Sequence, residues 1–471
     1  MKKINLLILL GSLYANCLFP QGWQWKNSEA QSNILKDKNN DVYIFANTSA
    51  GISIKKRDLN GNVLWTKSIS GGARVNSYVT DAANNLVLVG NVTNTATVDN
   101  YTLTSKSASN FFILKMSSSA SVLSANVYGD SCETVANDIF INNSGDYLIG
   151  GGYKGNFKMN GTLITGDTVS QFFMIKTDVN QNVLWWETNG YVAGAKGSTA
   201  ITELLETTSG NICAVYQTTG LVDYKGQQDV YDGQFIMELD PARNLMWRQY
   251  ECYCWMGYDV YMNLQSIGDI VYMQKFQFTN HSWPGAWISQ WSTTGTSSSK
   301  YIGNVGNFAY NTFNNKIYYA AICPNMSVWY QQIGYVNSDF SGGHSDSTLV
   351  ANSAGNYYSD MACVDTLSFY IGGSESTLGT FVGLYKMSNA TLITELSTLV
   401  NTAIFPNPSN GSVYIKGDLH ISKVKAYNSN GSEVECSVRG SEINLGTQSK
   451  GIYFVDIFFE NGSVRKKIIL E

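Results

Sequence analysis

Short apolar runs separated by Gly, Asn, Asp and Ser turns recur along most of the chain, and seven of them share one layout. Asn40-Asp41 precedes Val42–Ala46, Asn84-Asn85 precedes Leu86–Gly90, Gly145-Asp146 precedes Tyr147–Gly151, and Gly210-Asn211 precedes Ile212–Tyr216. Gly268-Asp269 leads into Ile270–Gln274, Asn315-Lys316 into Ile317–Ala321, and Leu367-Ser368 into Phe369–Gly373. Turn residues followed by β-branched and aromatic positions predict a strand entered through a tight turn. The strand starts are 44, 61, 65, 58, 47 and 52 residues apart. A second signature follows in each unit: Ile52–Trp65, Phe111–Leu123, Phe172–Trp185, Phe235–Trp247, Trp287–Thr296, Trp329–Phe340 and Phe381–Ile393. In the clearest copies it is a strand, a polar hairpin tip and a strand bearing Trp.

Units of this size cannot bury a core alone, and radial stacking is how an all-β chain limits its exposed edges. The expected fold of residues 23–396 is therefore an all-β propeller of seven degenerate blades. Six or eight blades remain open because units five to seven have lost most of the Asp and Trp positions. A two-sheet solenoid or a string of sandwiches is the competing architecture. The repeats resemble those of the propeller-repeat proteins of Bacteroidota: Gly/Asn-Asn-x-Tyr-Ile-x-Gly, then Phe-Ile-x-Lys-x-Asp, then Gly-x-x-x-Trp. Trp23-Gln24-Trp25-Lys26 looks like Val63-Leu64-Trp65-Thr66 and Val183-Leu184-Trp185-Trp186, so the chain is expected to begin with a strand of the last blade.

Residues 397–471 change character. Asn461-Gly462 is a strong two-residue hairpin signal, and a turn there opposes Phe459 to Val464, Val455 to Ile468, Tyr453 to Leu470 and Asp456 to Lys467. With the runs Val413–Ile415, Val424–Tyr427 and Val434–Val438 this predicts a small immunoglobulin-like β-sandwich. The segment opens with Ile404-Phe405-Pro406-Asn407-Pro408-Ser409-Asn410-Gly411, passes through Asn430-Gly431 and Gly451-Ile452-Tyr453-Phe454, and ends Lys466-Lys467-Ile468-Ile469-Leu470-Glu471. That ordered set resembles the type A C-terminal sorting domain of the type IX (Por) secretion system. The resemblance implies that Pro406, Asn407, Pro408, Gly411, Gly451, Tyr453, Lys466 and Lys467 belong to an address read by the secretion machinery, and that the domain is later removed. An ordinary immunoglobulin-like binding module is the alternative.

The other end agrees with export. Lys2-Lys3 precede the apolar run Ile4–Leu10, with small residues by Ala15, so residues 1–22 read as a signal peptide. Cys17 follows Asn16, where a lipoprotein signal wants Gly, Ala or Ser. No other run approaches the ~18 apolar residues of a transmembrane helix. The chain has 14% charged and 13% aromatic residues, with 43 Gly against 6 Pro, which suits an all-β extracellular protein. Setting aside the two leader lysines and the tail (eight Lys/Arg, seven Asp/Glu) leaves a body charge near −8 from the overall −5. A surface of that sign does not attract nucleic acid.

Candidate chemistry is sparse. Seven cysteines follow the leader, and Cys252-Tyr-Cys254 lacks metal-ligand spacing, so buried structural cysteine is expected, with no metal and no cofactor. Outside the tail the histidines are His281 and His344, both read as loop residues, and nothing resembles a nucleophile elbow. Asp229/Asp232 and Glu203/Glu206 serve a glycosidase only if the fold sets them across a cleft. Asp58-Leu-Asn-Gly-Asn62 lacks the distal Glu of a calcium loop and reads as a hairpin tip. No catalytic residue is assigned. The richest aromatic stretch, His281 to Trp291, gives the candidate ligand contacts: Trp283 beside Pro284 on a loop, with His281 and Trp287, for a glycan or a surface protein. Burial of Trp287 and Trp291 on blade strands is the simpler reading. The expected function is a secreted or cell-surface, non-enzymatic binding or adhesion platform; the alternative is a secreted carbohydrate-active or other hydrolase. Mass spectrometry of the exported protein is expected to show loss of residues 1 to about 22 and of the tail from near Leu399; a cytoplasmic, full-length product would overturn this export reading.

Overall fold

In a computed structural model of the chain, the described residues are 22–31, 33–191, 197–229, 232–253, 259–277, 285–303, 305–325, 328–350, 357–375, 378–387, 403–416, 421–428, 432–459 and 462–471. Their regular structure is entirely β, and the chain divides into two compact units, Met1–Met387 and Ser388–Glu471.

The turns that frame the strands are built by short polar side chains. Asp37 accepts the backbone N–H groups of Asn39 (2.8 Å) and Asp41 (3.0 Å), and Asp81 those of Ala83 and Asn85 in the same way. Asp58 accepts from Asn60 and Asn62, and Asp178 from Asn180 and Asn182. The fourth residue of each turn takes positive φ, as at Asn40 (64°) and Gly61 (82°), a conformation that Asn and Gly adopt at little cost. The segment from Asp58 to Asn62 is thus a hairpin tip.

In the larger unit these hairpins assemble into four-stranded antiparallel sheets. The first two sets share the long strand Val63–Thr80 and form one eight-stranded sheet. Set 1 contains Asn33–Lys36, Val42–Thr48, Gly51–Arg57 and the start of Val63–Thr80; set 2 contains its end, Leu86–Val98, Asn110–Met116 and Val122–Tyr128. Sets 3 to 6 begin with Glu133–Ile141, Ser198–Glu206, Asp259–Ile267 and Val305–Asn311. Set 7 runs Tyr357–Cys363, Ser368–Glu375, Gly379–Lys386, and takes its fourth strand from the N-terminal side, Gly22–Ser28. Each of the seven turn-and-strand signatures is the second strand of a set.

The core lies between sets and explains why the second strands read as unbroken apolar runs. Both faces of these strands are covered, so alternate residues are buried against opposite neighbours. Leu86 and Leu88 pack with Tyr43 and Phe45 of set 1, while Val87 and Val89 pack with Tyr147 and Ile149 of set 3. The series continues through sets 4, 5 and 6 to set 7. It closes where Val364, Tyr370 and Val382 of set 7 meet Ile34, Val42 and Ile44 of set 1. First strands of successive sets touch from set 2 through set 7 and on to set 1. This is a propeller-like, all-β architecture.

The smaller unit is a two-sheet sandwich. Ala403–Phe405, Ser412–Lys416, Glu442–Asn444 and Ser437–Arg439 form one sheet, and Glu433–Val434, Ile421–Asn428, Gly451–Phe459 and Gly462–Leu470 the other. The hairpin register departs from expectation by two residues. Phe459 faces Gly462, Ile457 faces Val464, Val455 faces Lys466, Tyr453 faces Ile468 and Asp456 faces Arg465. An even shift keeps every side chain on its face, so the apolar pattern does not distinguish the two pairings. Contacts distant in sequence pin the last strand instead: Asn407 donates to the Lys467 carbonyl (2.7 Å) and accepts from the Ile469 N–H (2.8 Å), and Ser409 accepts from the Glu471 N–H. Gly411 has φ 124° and a Cβ there would meet Gly446 at 2.8 Å, so the motif's glycine is a packing requirement.

Closure of the larger unit rests on two indoles. Trp23 meets Phe381 and Tyr385 edge-on at 5.4 and 5.3 Å, and Lys26 lies over Trp23 at 4.5 Å. Trp25 donates to the Leu59 carbonyl (2.9 Å), tying the strand to the first set. Trp23→Ala removes a half-buried aromatic and is expected to cost about 2–3 kcal/mol, read as a lower urea midpoint at unchanged slope. An unchanged midpoint would place this strand outside the cooperative unit.

Candidate functional site

The innermost strands carry a recurrent defect. Their pairing with the second strands slips between Val75 and Ser77, Ala136 and Asp138, Ile201 and Glu203, Met262 and Gln265, and Tyr358 and Asp360. A bulge bends its strand and re-aims the side chains beside it. Here those side chains are turned toward the neighbouring first strand. Asn76 donates to the Ala136 carbonyl (2.8 Å), Asn137 to that of Ile201 (2.7 Å) and Asn263 to that of Phe308 (2.7 Å).

The residue after the bulge brings acid to the axis. Asp138 accepts from its own neighbour Ile139 N–H (2.9 Å), from Leu204 N–H of set 4 (2.8 Å) and from the Ser77 hydroxyl of set 2 (2.6 Å). Asp360 accepts from Met361 N–H (2.8 Å) and from Ile34 N–H of set 1 (2.9 Å). Glu203 accepts from the backbone of Leu264 and Asn263 in set 5. Tyr78 of set 2, stacked on Phe45 at 3.8 Å, donates its hydroxyl to Asp360 of set 7. These four side chains are half-buried.

Their charges are costly here. Desolvation, only partly offset by the N–H donors, pushes Asp138 up to about 6 and Asp360 up to about 7. Glu203 is pushed up to about 8, first by desolvation and then by the nearby charges of Asp138 and Asp360. Burial raises the Tyr78 phenol well above its ordinary value, reinforced by Asp360. Around neutral pH the cluster therefore retains protons that free carboxyls would have released. Among the described residues, no group of three or more His, Cys, Asp or Glu is placed to hold a metal ion.

A second feature lies between sets 3 and 4, at the end where first strands begin and second strands finish. It is a cleft of about 550 Å³. Val135, Gly152, Val169 and Ala200 give it apolar surface; Glu133, Lys154, Asn137, Thr168 and Ser170 give it polar surface. The same end carries the hairpin inserts Phe157–Met159 with Thr162–Ile164 and Val222–Tyr224 with Gln227–Asp229.

The residues singled out in the sequence lie elsewhere or apart. Trp287 is on the strand Gly285–Trp291, half-buried and edge-on to Tyr301 at 5.2 Å, while His281 and Trp283 fall outside the described residues. Trp291 is 1% exposed and donates to Gln249. His344 starts the strand His344–Val350 and is not a loop residue, because the turn ends at the positive-φ glycines Gly342 and Gly343. Glu203 and Glu206 share a strand but not a site: Glu206 pairs with Lys176 (2.7 Å). Asp232 accepts from the Gly220 N–H, whereas the Asp229 side chain lies outside the description. Cys132, Cys213, Cys363 and Cys436 are free thiols; Cys213 and Cys363 are buried, and burial pushes Cys363 up to about 12. Cys252, Cys254 and Cys323 have no described side chains.

Asp138 and Asp360 were not among the candidates. A signal for them exists at the strand position four residues before the first turn residue: Ser77 before Asp81, Asp138 before Asn142, Glu203 before Thr207, Asn307 before Asn311 and Asp360 before Val364. A search for repeated acids confined to loops misses it.

Several solved structures align with much of this chain at very low identity. An ulvan lyase of polysaccharide lyase family PL25 aligns with 79% of this chain and 95% of its own, at 8% identity and a TM-score of 0.45. The polysaccharide lyase Uly1 aligns over 76% and 90%, at 11% identity and TM-score 0.40. Drosophila plexin A in complex with semaphorin 1b aligns over 78% and 88%, at 6% identity and TM-score 0.39. No curated protein matches the sequence. No helix among the described residues is long and apolar enough to cross a membrane. Residues 403–471 match the family model of the secretion system C-terminal sorting domain. The chain therefore ends in a type IX sorting domain, which marks it for secretion or attachment at the outer cell surface.

Proposed function

We propose that the larger unit is a non-enzymatic binding platform delivered by the sorting domain. The observation that carries this reading is how the axial carboxylates are used. Asp138 and Asp360 each place one oxygen on a backbone N–H of their own strand and the other on the first strand of the next set, and Glu203 also reaches across. An acid or base in catalysis must offer its oxygen to a substrate. These oxygens hold first strands together. A second reading, a hydrolase acting through the axis, is favoured by one feature: burial pushes Asp138, Asp360 and Glu203 up to about 6, 7 and 8, the range in which acid–base catalysis operates.

One variant separates the two. A carboxyl whose folded pKa is raised contributes stability that is fully present below its unfolded value, about 4.3 for Glu, and is lost as pH rises through its folded value. The wild type is thus expected to melt at progressively lower temperature from pH 5 to pH 9. Glu203→Gln, a neutral isostere of the protonated acid, should flatten the part of that slope above pH 7. On a panel of polysaccharide, peptide and ester substrates, neither protein should show turnover. Reproducible turnover abolished by Glu203→Gln would replace the platform with the hydrolase.

A further inference from the structure

The geometry points to the cleft between sets 3 and 4 as a binding subsite for a neutral, hydroxyl-rich ring ligand, that is, an uncharged oligosaccharide. This rests on the platform reading and adds its ligand class. The cleft volume of about 550 Å³ lies within the 300–1,000 Å³ typical of small-molecule sites. Its composition is divided in the way a pyranose is divided. Val135, Val169 and Ala200 offer apolar surface to the C–H face of a ring. Gly152 lets the two sets approach closely beneath that floor, since a Cβ there would come within 3.1 Å of the Ala200 Cβ.

The rim supplies the complementary polarity. Glu133 and Lys154 stand directly opposite one another on paired strands, and both are exposed. Among the described residues neither enters an ion pair, which leaves one strong acceptor and one strong donor at the mouth. Adjacent ring hydroxyls each donate and accept, so they can satisfy both groups, whereas an anion would gain Lys154 and be repelled by Glu133. Asn137 commits its amide N–H to Ile201 (2.7 Å), which fixes the side chain at the wall. The walls come from two sets packed face to face, so the site needs no closure to form.

The test uses the purified exported protein on an array of neutral, uronate-bearing, sialylated and sulfated oligosaccharides, followed by titration of the best ligand. Binding to neutral oligosaccharides is expected, and the double variant Glu133→Gln/Lys154→Met should weaken it at least tenfold with an unchanged melting temperature. Capture of anionic glycans alone, equal affinity in the double variant, or no binding across the array would each overturn the assignment. Failure of the platform reading is scored separately, by product formation in the substrate panel: an empty array without turnover sinks only this inference.

Discussion

Strands arranged around an axis leave their inner edges unsatisfied, and the larger unit is organised by the need to satisfy them. Within a set, the first strand bonds to the second along one edge only; its other edge faces the centre, where Asp138, Glu203 and Asp360 are half-buried. Unpaired N–H and C=O groups in such a place each cost about 1–3 kcal/mol. Neighbouring first strands splay too far apart to continue a ladder. Side chains therefore replace it, with Asn amides reaching carbonyls of the next set and carboxylates reaching its N–H groups. The bulges make this reach sideways feasible.

This arrangement accounts for the raised carboxyl pKa values through desolvation and mutual repulsion. Carboxylates suit two N–H donors better than an amide does, so Asp and Glu are favoured at the stitching position even though the axis desolvates them. Three of them in one centre repel. The result is a cluster that holds protons at neutral pH, with Glu203 raised first by desolvation and then by the charges of Asp138 and Asp360. A perturbed carboxyl in a propeller-like axis is thus a natural product of ring closure, and perturbation alone is a weak sign of catalysis.

The sorting domain shows the same logic at smaller scale. Its motif residues are structural before they are a signal: Asn407 clamps the last strand, and Gly411 permits a close approach of two backbones. Phe405, Tyr414 and Phe454 are left exposed on its surface.

The second strand of each set and its turn were legible from the chain alone, because hairpin turns are local: Asp37, Asp58 and Asp178 bond to residues two and four positions on, within reach of any short window. The closing strand was legible too, since Trp23-Gln24-Trp25 repeats the pattern of other outer strands. The sorting domain was legible from its ordered motifs. Three things were decided only by tertiary contacts. The tail hairpin's register depends on Asn407, some 60 residues away, because a two-residue slip leaves both faces unchanged. The acid cluster depends on Asp138, Glu203 and Asp360 meeting from sets far apart in sequence: a shared position before the turn marks each of them, but only ring closure brings them together. The cleft depends on two sheets packing face to face, so its floor and rim come from four short segments that have no common motif. Local hydrogen bonding is written in neighbouring residues; burial, register and convergence are properties of the closed ring.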